Sequence, residues 1–163
     1  MNESIRKVNC NDNQFIIFAG KIEKQNFSLC FMLNEEEEIY AMTESDLVKV
    51  WNVTPLESCE AEKKLPFIIN GDFQVDTGRK QLSGDTSNNR ILLNKIATSF
   101  VNTLVDAKQN EKSVITNEIF DGILDILLTT ANVQSEIFRE FGRNCLSLIK
   151  NKDNMVIVDI GSI

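Results

Sequence analysis

The spacing of hydrophobic positions changes along the chain. Before Asp76 the apolar residues come in short runs; beyond it they recur every three or four positions. Residues 1–13 are polar and read as a frayed lead-in. Gln14 to Ala19 and Asn26 to Leu33 are apolar runs joined by Gly20 to Gln25. In the second, Phe27, Leu29 and Phe31 alternate with Ser28, Cys30 and Met32, the period of a half-buried strand. Ile39 to Met42 reads as a returning strand. Thr43-Glu44-Ser45-Asp46 resembles a capping box opening a short helix through Val50 or Trp51. Trp51, the only tryptophan, suits a core or interface anchor. Pro55 and the polar residues 57–64 read as a loop. Phe67 to Val75 reads as one strand with a kink or bulge at Gly71, although Asn70-Gly71 is by itself a hairpin signal.

Beyond Asp76 the helical period takes over. Asp85-Thr86-Ser87 supplies N-caps for a helix beginning near Asn88, with Leu92, Leu93, Ile96, Ala97, Phe100, Leu104 and Val105 on one face. Thr116 can cap a second helix through Phe120, Ile123, Leu124, Leu127 and Leu128. Asn132 can cap a third through Val133, Ile137, Phe138, Phe141, Cys145 and Leu148. Gly142, inside the third, costs roughly 1 kcal/mol relative to alanine. Met155 to Ile160 reads as a strand or extended tail. Strands first and helices after predict an α+β fold, a small mixed or antiparallel sheet followed by a helical portion. The expected boundaries are 1–84 for the sheet portion ending in the Arg79 loop, 85–150 for the helical portion and 151–163 for a C-terminal strand or tail.

Composition narrows the chemistry. A length of 163 residues suits one domain, or one with an appendage. The net charge of −7 weighs against a nucleic-acid binder. No run approaches a membrane span and no signal peptide is visible, so a cytoplasmic location is expected. Histidine is absent, which removes Ser-His-Asp and Cys-His catalysis and histidine metal sites together. An independent enzyme is therefore disfavoured. The four cysteines (Cys10, Cys30, Cys59, Cys145) form no CxxC pair and read as free buried or half-buried thiols. Glu35 to Glu38 reads as a solvated hairpin tip, because adjacent residues cannot all converge on one ion. No metal site is expected.

One residue stands out. Arg79 follows the Asp76-Thr77-Gly78 turn, between the last strand run and the first long helix. A guanidinium there has a rigid base and a mobile charge, suited to a phosphate or carboxylate on another domain. The same residue also fits a solvated surface charge.

The order of NFSLCFMLN, the acidic turn, LPFIINGDFQVDTGRKQL and NNRILLNKIATSFVNTL resembles the middle segment of sacsin-like proteins. These belong to the GHKL ATPase superfamily, typified by the ninety-kilodalton heat-shock chaperone. The resemblance covers roughly residues 24–108. It implies a transducing domain in which Arg79 has a catalytic role, reaching the γ-phosphate of ATP held with magnesium by a separate nucleotide-binding domain. That domain would be the first partner and a protein client the second, with homo-oligomerisation left open. The chaperone motif has glutamine four residues after its arginine, where this chain has Ser83; Gln81 stands nearby out of register and is carried over as a second phosphate-side residue. The glycine-rich nucleotide loops of the superfamily have no counterpart here, which implies a middle domain of a longer ATPase or a stand-alone relative. The alternative is a non-catalytic protein–protein interaction module whose helical half presents an apolar groove.

Overall fold

The computed structural model describes residues 4–43, 47–57 and 60–152. Among these, β1 (Ser4–Cys10), β2 (Asn13–Ile22), β3 (Gln25–Leu33), β4 (Ile39–Tyr40), β5 (Val50–Asn52), β6 (Thr54–Pro55) and β7 (Ile68–Asn70) form a seven-stranded sheet. The strand order is β1-β2-β3-β7-β5-β6, with β4 paired to the end of β3. All pairings are antiparallel except β5 with β7, where Val50 lies beside Ile69. The helices are α1 (Glu60–Lys63), α2 (Ser87–Gln109), α3 (Asn117–Thr130) and α4 (Glu136–Lys150). A mixed sheet followed by three long helices is an α+β fold.

Three expectations for the sheet need correction. The polar lead-in is a strand: β1 runs antiparallel to β2 from Ser4↔Ala19 to Cys10↔Asn13. It is an edge strand, and its Arg6 and Lys7 are the kind of charge that keeps an exposed edge from recruiting another chain. The connection between β2 and β3 shrinks from Gly20–Gln25 to Glu23-Lys24, because pairing continues to Ile22↔Gln25. Trp51 belongs to no helix. Val50–Asn52 extends beside β7, and the Trp51 indole N–H donates to the Val48 carbonyl at 3.0 Å. Of the expected capping box, Glu44, Ser45 and Asp46 lie outside the described residues.

The long strand expected over Phe67 to Val75 is also shorter. Sheet pairing stops at Asn70, and Gly71 N–H donates to the Trp51 carbonyl at 3.1 Å. The 57–64 loop contains the turn of helix α1, and Pro55 sits in the edge strand β6, where a missing N–H is harmless. The Asn34–Glu38 turn is as expected, exposed and held by Asn34 Oδ1, which accepts from the backbone of Glu36 and Glu38.

Helices α2 and α4 meet one face of the sheet through phenylalanines. Phe100 packs edge-on to Phe18 at 4.8 Å and stacks on Phe31 at 5.8 Å. Phe141 lies 6.0 Å from Phe67, and Phe138 lies 6.4 Å from Phe73. Each such ring contributes about 1.5–3 kcal/mol by burial alone. Strands and helices thus share one hydrophobic cluster. Arg90 pairs with Glu136 and Glu140, and Asn144 donates to Asn94, so α2 and α4 run parallel, with α3 as the return.

Capping chemistry explains the helix starts. Thr116 Oγ1 accepts from Ile119 N–H at 3.2 Å, the expected cap of α3. Asn132 does not cap α4; it lies beyond the end of α3 and donates to the Leu128 carbonyl, leaving Ser135 at the N-cap position. At α2, Thr86 is the N-cap residue without a cap bond, because its hydroxyl accepts from Arg90 Nε instead. Met155 to Ile160 lies outside the described residues.

Candidate functional site

Arg79 sits at the tip of a small hairpin that the sequence places between sheet and helix. Ser83 N–H donates to the Gln74 carbonyl, Val75 bridges Leu82, and Asp76 N–H donates to the Gln81 carbonyl. Asp76 then turns the chain: its carbonyl accepts from Arg79 N–H at 3.0 Å, and its Oδ1 accepts from the backbone of Lys80 and Gln81. Such aspartate-to-backbone bonds pre-form a turn without help from the core.

This turn places Arg79 at a φ of 54°, the left-handed region that side chains with a Cβ avoid. The neighbouring Gly78 does not use its freedom, since no glycine among the described residues has a positive φ. The Arg79 side chain is exposed, and among the described residues no carboxylate or carbonyl pairs with its guanidinium. Lys80, by contrast, reaches Glu57 at 3.3 Å.

A cleft of about 460 Å³ opens beside the loop, lined by Asn52, Val53, Thr54, Leu56, Asp72, Val75 and Arg79. Its walls are differently held. Asn52 Nδ2 donates to the Phe73 carbonyl at 2.8 Å, and Asp72 Oδ2 accepts from Gln25 at 2.9 Å. Val53, on the turn between β5 and β6, is 90% exposed with a φ of 63°, an outlier for a β-branched residue.

The sequence singles out Arg79 but not the residues that surround it. Gln81 is exposed on the returning limb of the hairpin and its backbone pairs with Asp76, but it does not line the cleft. Asn52, Val53 and Thr54 arrive from a hairpin at the sheet's edge, and no local signal connects them to Arg79. The walls the pattern could have supplied are Asp72 and Val75, already inside the quoted motif.

Other chemistry is limited. Burial pushes the Cys30 thiol up to about 12 and raises Cys145 further, so neither is a thiolate nucleophile at neutral pH. In the Glu35–Glu38 run, Glu37 pairs with Lys7, and Glu36 and Glu38 share one donor, Asn34 Nδ2. Among the described residues no group of three or more acidic or cysteine side chains is arranged to hold a metal ion. No helix among them is long and apolar enough to cross a membrane. No family model, curated protein or solved structure matches the chain.

Proposed function

We propose that this chain is the transducing, middle-type segment of a GHKL-type ATPase and that Arg79 is its arm. The observation that carries the reading is an exposed guanidinium without a partner among the described residues, held on a pre-formed turn in a backbone conformation unfavourable for arginine. Backbone strain of this kind persists where the surroundings enforce it, often at functional positions. In an acidic chain an unpaired guanidinium fits an anion, and its planar fork matches two oxygens of one phosphate. What fits ATP here is Arg79 alone, directed at a terminal phosphate held with magnesium by a separate nucleotide-binding domain. Its part is to stabilise charge on the transferred phosphoryl group, an effect worth roughly 10³–10⁵ in rate. Gln81, exposed on the same hairpin, is proposed only as a weaker second donor, since it does not line the cleft.

The partners in this reading are the nucleotide-binding domain and, through domain closure, a protein client. A homo-oligomer is compatible with it, and nucleic acid is disfavoured by the charge. Cytoplasmic residence accords with the unpaired thiols of Cys10, Cys30 and Cys145.

The test is steady-state ATP turnover of the protein that unites this chain with its nucleotide-binding domain, wild type beside Arg79→Ala, both shown to be folded. A loss of about two orders of magnitude or more with ATP still bound is expected. Arg79→Lys keeps the charge but not the fork and should recover a minor part. Unchanged turnover in Arg79→Ala would overturn the reading. It would leave a non-catalytic protein–protein interaction module, for which the exposed Val53 at the sheet's edge and the exposed Ile91 on α2 are apolar starting points.

A further inference from the structure

The segment that leads into the arginine loop leaves the sheet early. β7 ends at Asn70, yet Gln74 four residues on is held as firmly as a strand residue. The partner is a side chain. Asn89, on the first turn of α2 and 1% exposed, accepts from Gln74 N–H through Oδ1 at 2.7 Å and donates to the Gln74 carbonyl through Nδ2 at 2.9 Å. The same Gln74 carbonyl accepts from Ser83 N–H and closes the base of the hairpin. A primary amide offers one acceptor and one donor side by side, as a neighbouring peptide group does. Aspartate lacks the donor when ionised, and serine or threonine is too short to span both atoms.

We infer that Asn89 is a positioning residue for Arg79. Its amide stands in for a missing strand, fixes the base of the loop to helix α2, and makes loop and helix start one rigid body. Asn88 extends the junction at the surface, donating to Gln74 Oε1 at 2.8 Å. Both bonds of the clamp are part-buried, and breaking them takes the partner of the Gln74 N–H away and leaves the Gln74 carbonyl held by Ser83 N–H alone. The Arg79 turn, bound mainly by its own Asp76, takes its orientation from this base. The functional half of the inference rests on Arg79 being a phosphate-directed arm; the clamp does not.

Amide hydrogen exchange and ¹⁵N relaxation on the chain itself provide the test. In the wild type, Gln74 and Ser83 amides should exchange as slowly as those of buried α2 residues. In Asn89→Ala, with circular dichroism retained, they should exchange roughly 10–100-fold faster, and residues 76–81 should gain fast motion. Amides from Ile96 to Leu104 should stay within about threefold of wild type, which separates positioning from a general loss of stability. If Asn89→Ala does not fold, Asn89→Gln, which keeps the amide but displaces it by one methylene, should show the same local pattern. Rapid exchange of Gln74 in the wild type, or equal acceleration across loop and helix, would overturn the clamp. In the ATP turnover assay, Asn89→Ala should lower kcat with ATP affinity unchanged; normal kcat alongside a loosened loop would overturn the positioning role. If Arg79→Ala is silent while the exchange pattern holds, the arm reading fails and the clamp stands.

Discussion

Replacing Gly142 with alanine should destabilise the protein, although helix propensity says the opposite. Gly142 lies in the middle of α4, where exchanging glycine for alanine would gain about 1 kcal/mol if nothing else changed. In this fold something else does. A Cβ built on Gly142 would stand 2.7 Å from the Ala131 nitrogen, 2.9 Å from the Thr130 carbonyl carbon and 3.0 Å from Thr130 Cβ. All three belong to the end of α3 or just beyond it. Two are backbone atoms, which cannot rotate away as a flexible side chain would.

Accommodation therefore requires α4 to move off α3, loosening contacts on which Phe138, Phe141 and Cys145 depend, all 1% exposed or less. Overpacking of this kind costs about 1–3 kcal/mol, and three approaches at or below 3.0 Å place it in the upper part of that range. Subtracting the propensity gain leaves a net loss of about 1–2 kcal/mol. For a chain of this length that lowers Tm by roughly 2–8 °C, measurable by calorimetry or circular dichroism. A Tm equal to or above wild type would refute the reasoning and show that α3 and α4 are not in close approach at this position.

Two further predictions concern the loop and the surface charges. Arg79→Gly should hold or raise the urea midpoint, since relief of the left-handed conformation, about 1–2 kcal/mol, exceeds the added freedom of the unfolded chain, about 0.4–1 kcal/mol. Gly78→Ala should raise it as well, by about 0.4–1 kcal/mol, because the nearest atoms to a new Cβ are the Asp76 carboxyl oxygens at 3.8 Å; a drop in either variant would contradict the loop geometry. In acid, stability should decline as pH falls through the ordinary carboxyl range. Hydrogen bonding from Lys95 lowers Glu23, Lys63 lowers Glu60, and the Ser87 backbone N–H lowers Asp85. Depressed folded-state values mean stabilisation fully present above the unfolded values and lost as pH drops through the folded ones. Urea midpoints measured from about pH 6 to 3 should fall less steeply in Glu23→Gln; identical slopes would remove the Glu23–Lys95 pair from the account.

Helix period is a local property, and the helical half was legible for that reason. The positions assigned to the buried face of α2, from Leu92 to Val105, are all buried, because the turn that brings Ile96 over Leu92 is written in the intervening residues. Strands take their partners from far away. Val50 is strand because Ile69 lies beside it, and nothing between Thr43 and Trp51 records that pairing, whereas a capping pattern is visible locally. β1 failed for a related reason: an edge strand needs few apolar residues, so Arg6 and Lys7 disguised it. At the site, Arg79 could be placed from the turn residues before it. Val53 and Asn52 could not, since their position depends on β5 lying next to β7. Asn89 was visible as one of two asparagines opening a helix, but its role depends on where Gln74 lies in space.

The contrast between buried and exposed polar contacts decides where the arginine loop can give. Lys80–Glu57 joins two side chains that are more than half exposed, and such a pair contributes little and breaks easily. Arg90, next to Asn89 on α2, binds Glu136 and Glu140 on α4 through contacts that are half-buried on the arginine side. The Asn89–Gln74 bonds are different: Asn89 is 1% exposed, and losing its amide takes two part-buried hydrogen bonds from the base of the loop, each worth about 0.5–1.5 kcal/mol. Displacement of the Arg79 loop should therefore carry the start of α2 with it before the clamp opens, while the polar bridge from α2 to α4 rearranges first. The Asn89–Gln74 bonds thus tie the loop to the helical half, the same half whose phenylalanines pack on the sheet. In the proposed transducing role this junction links loop and helices, and Asn89 contributes to it without being part of the hydrophobic cluster.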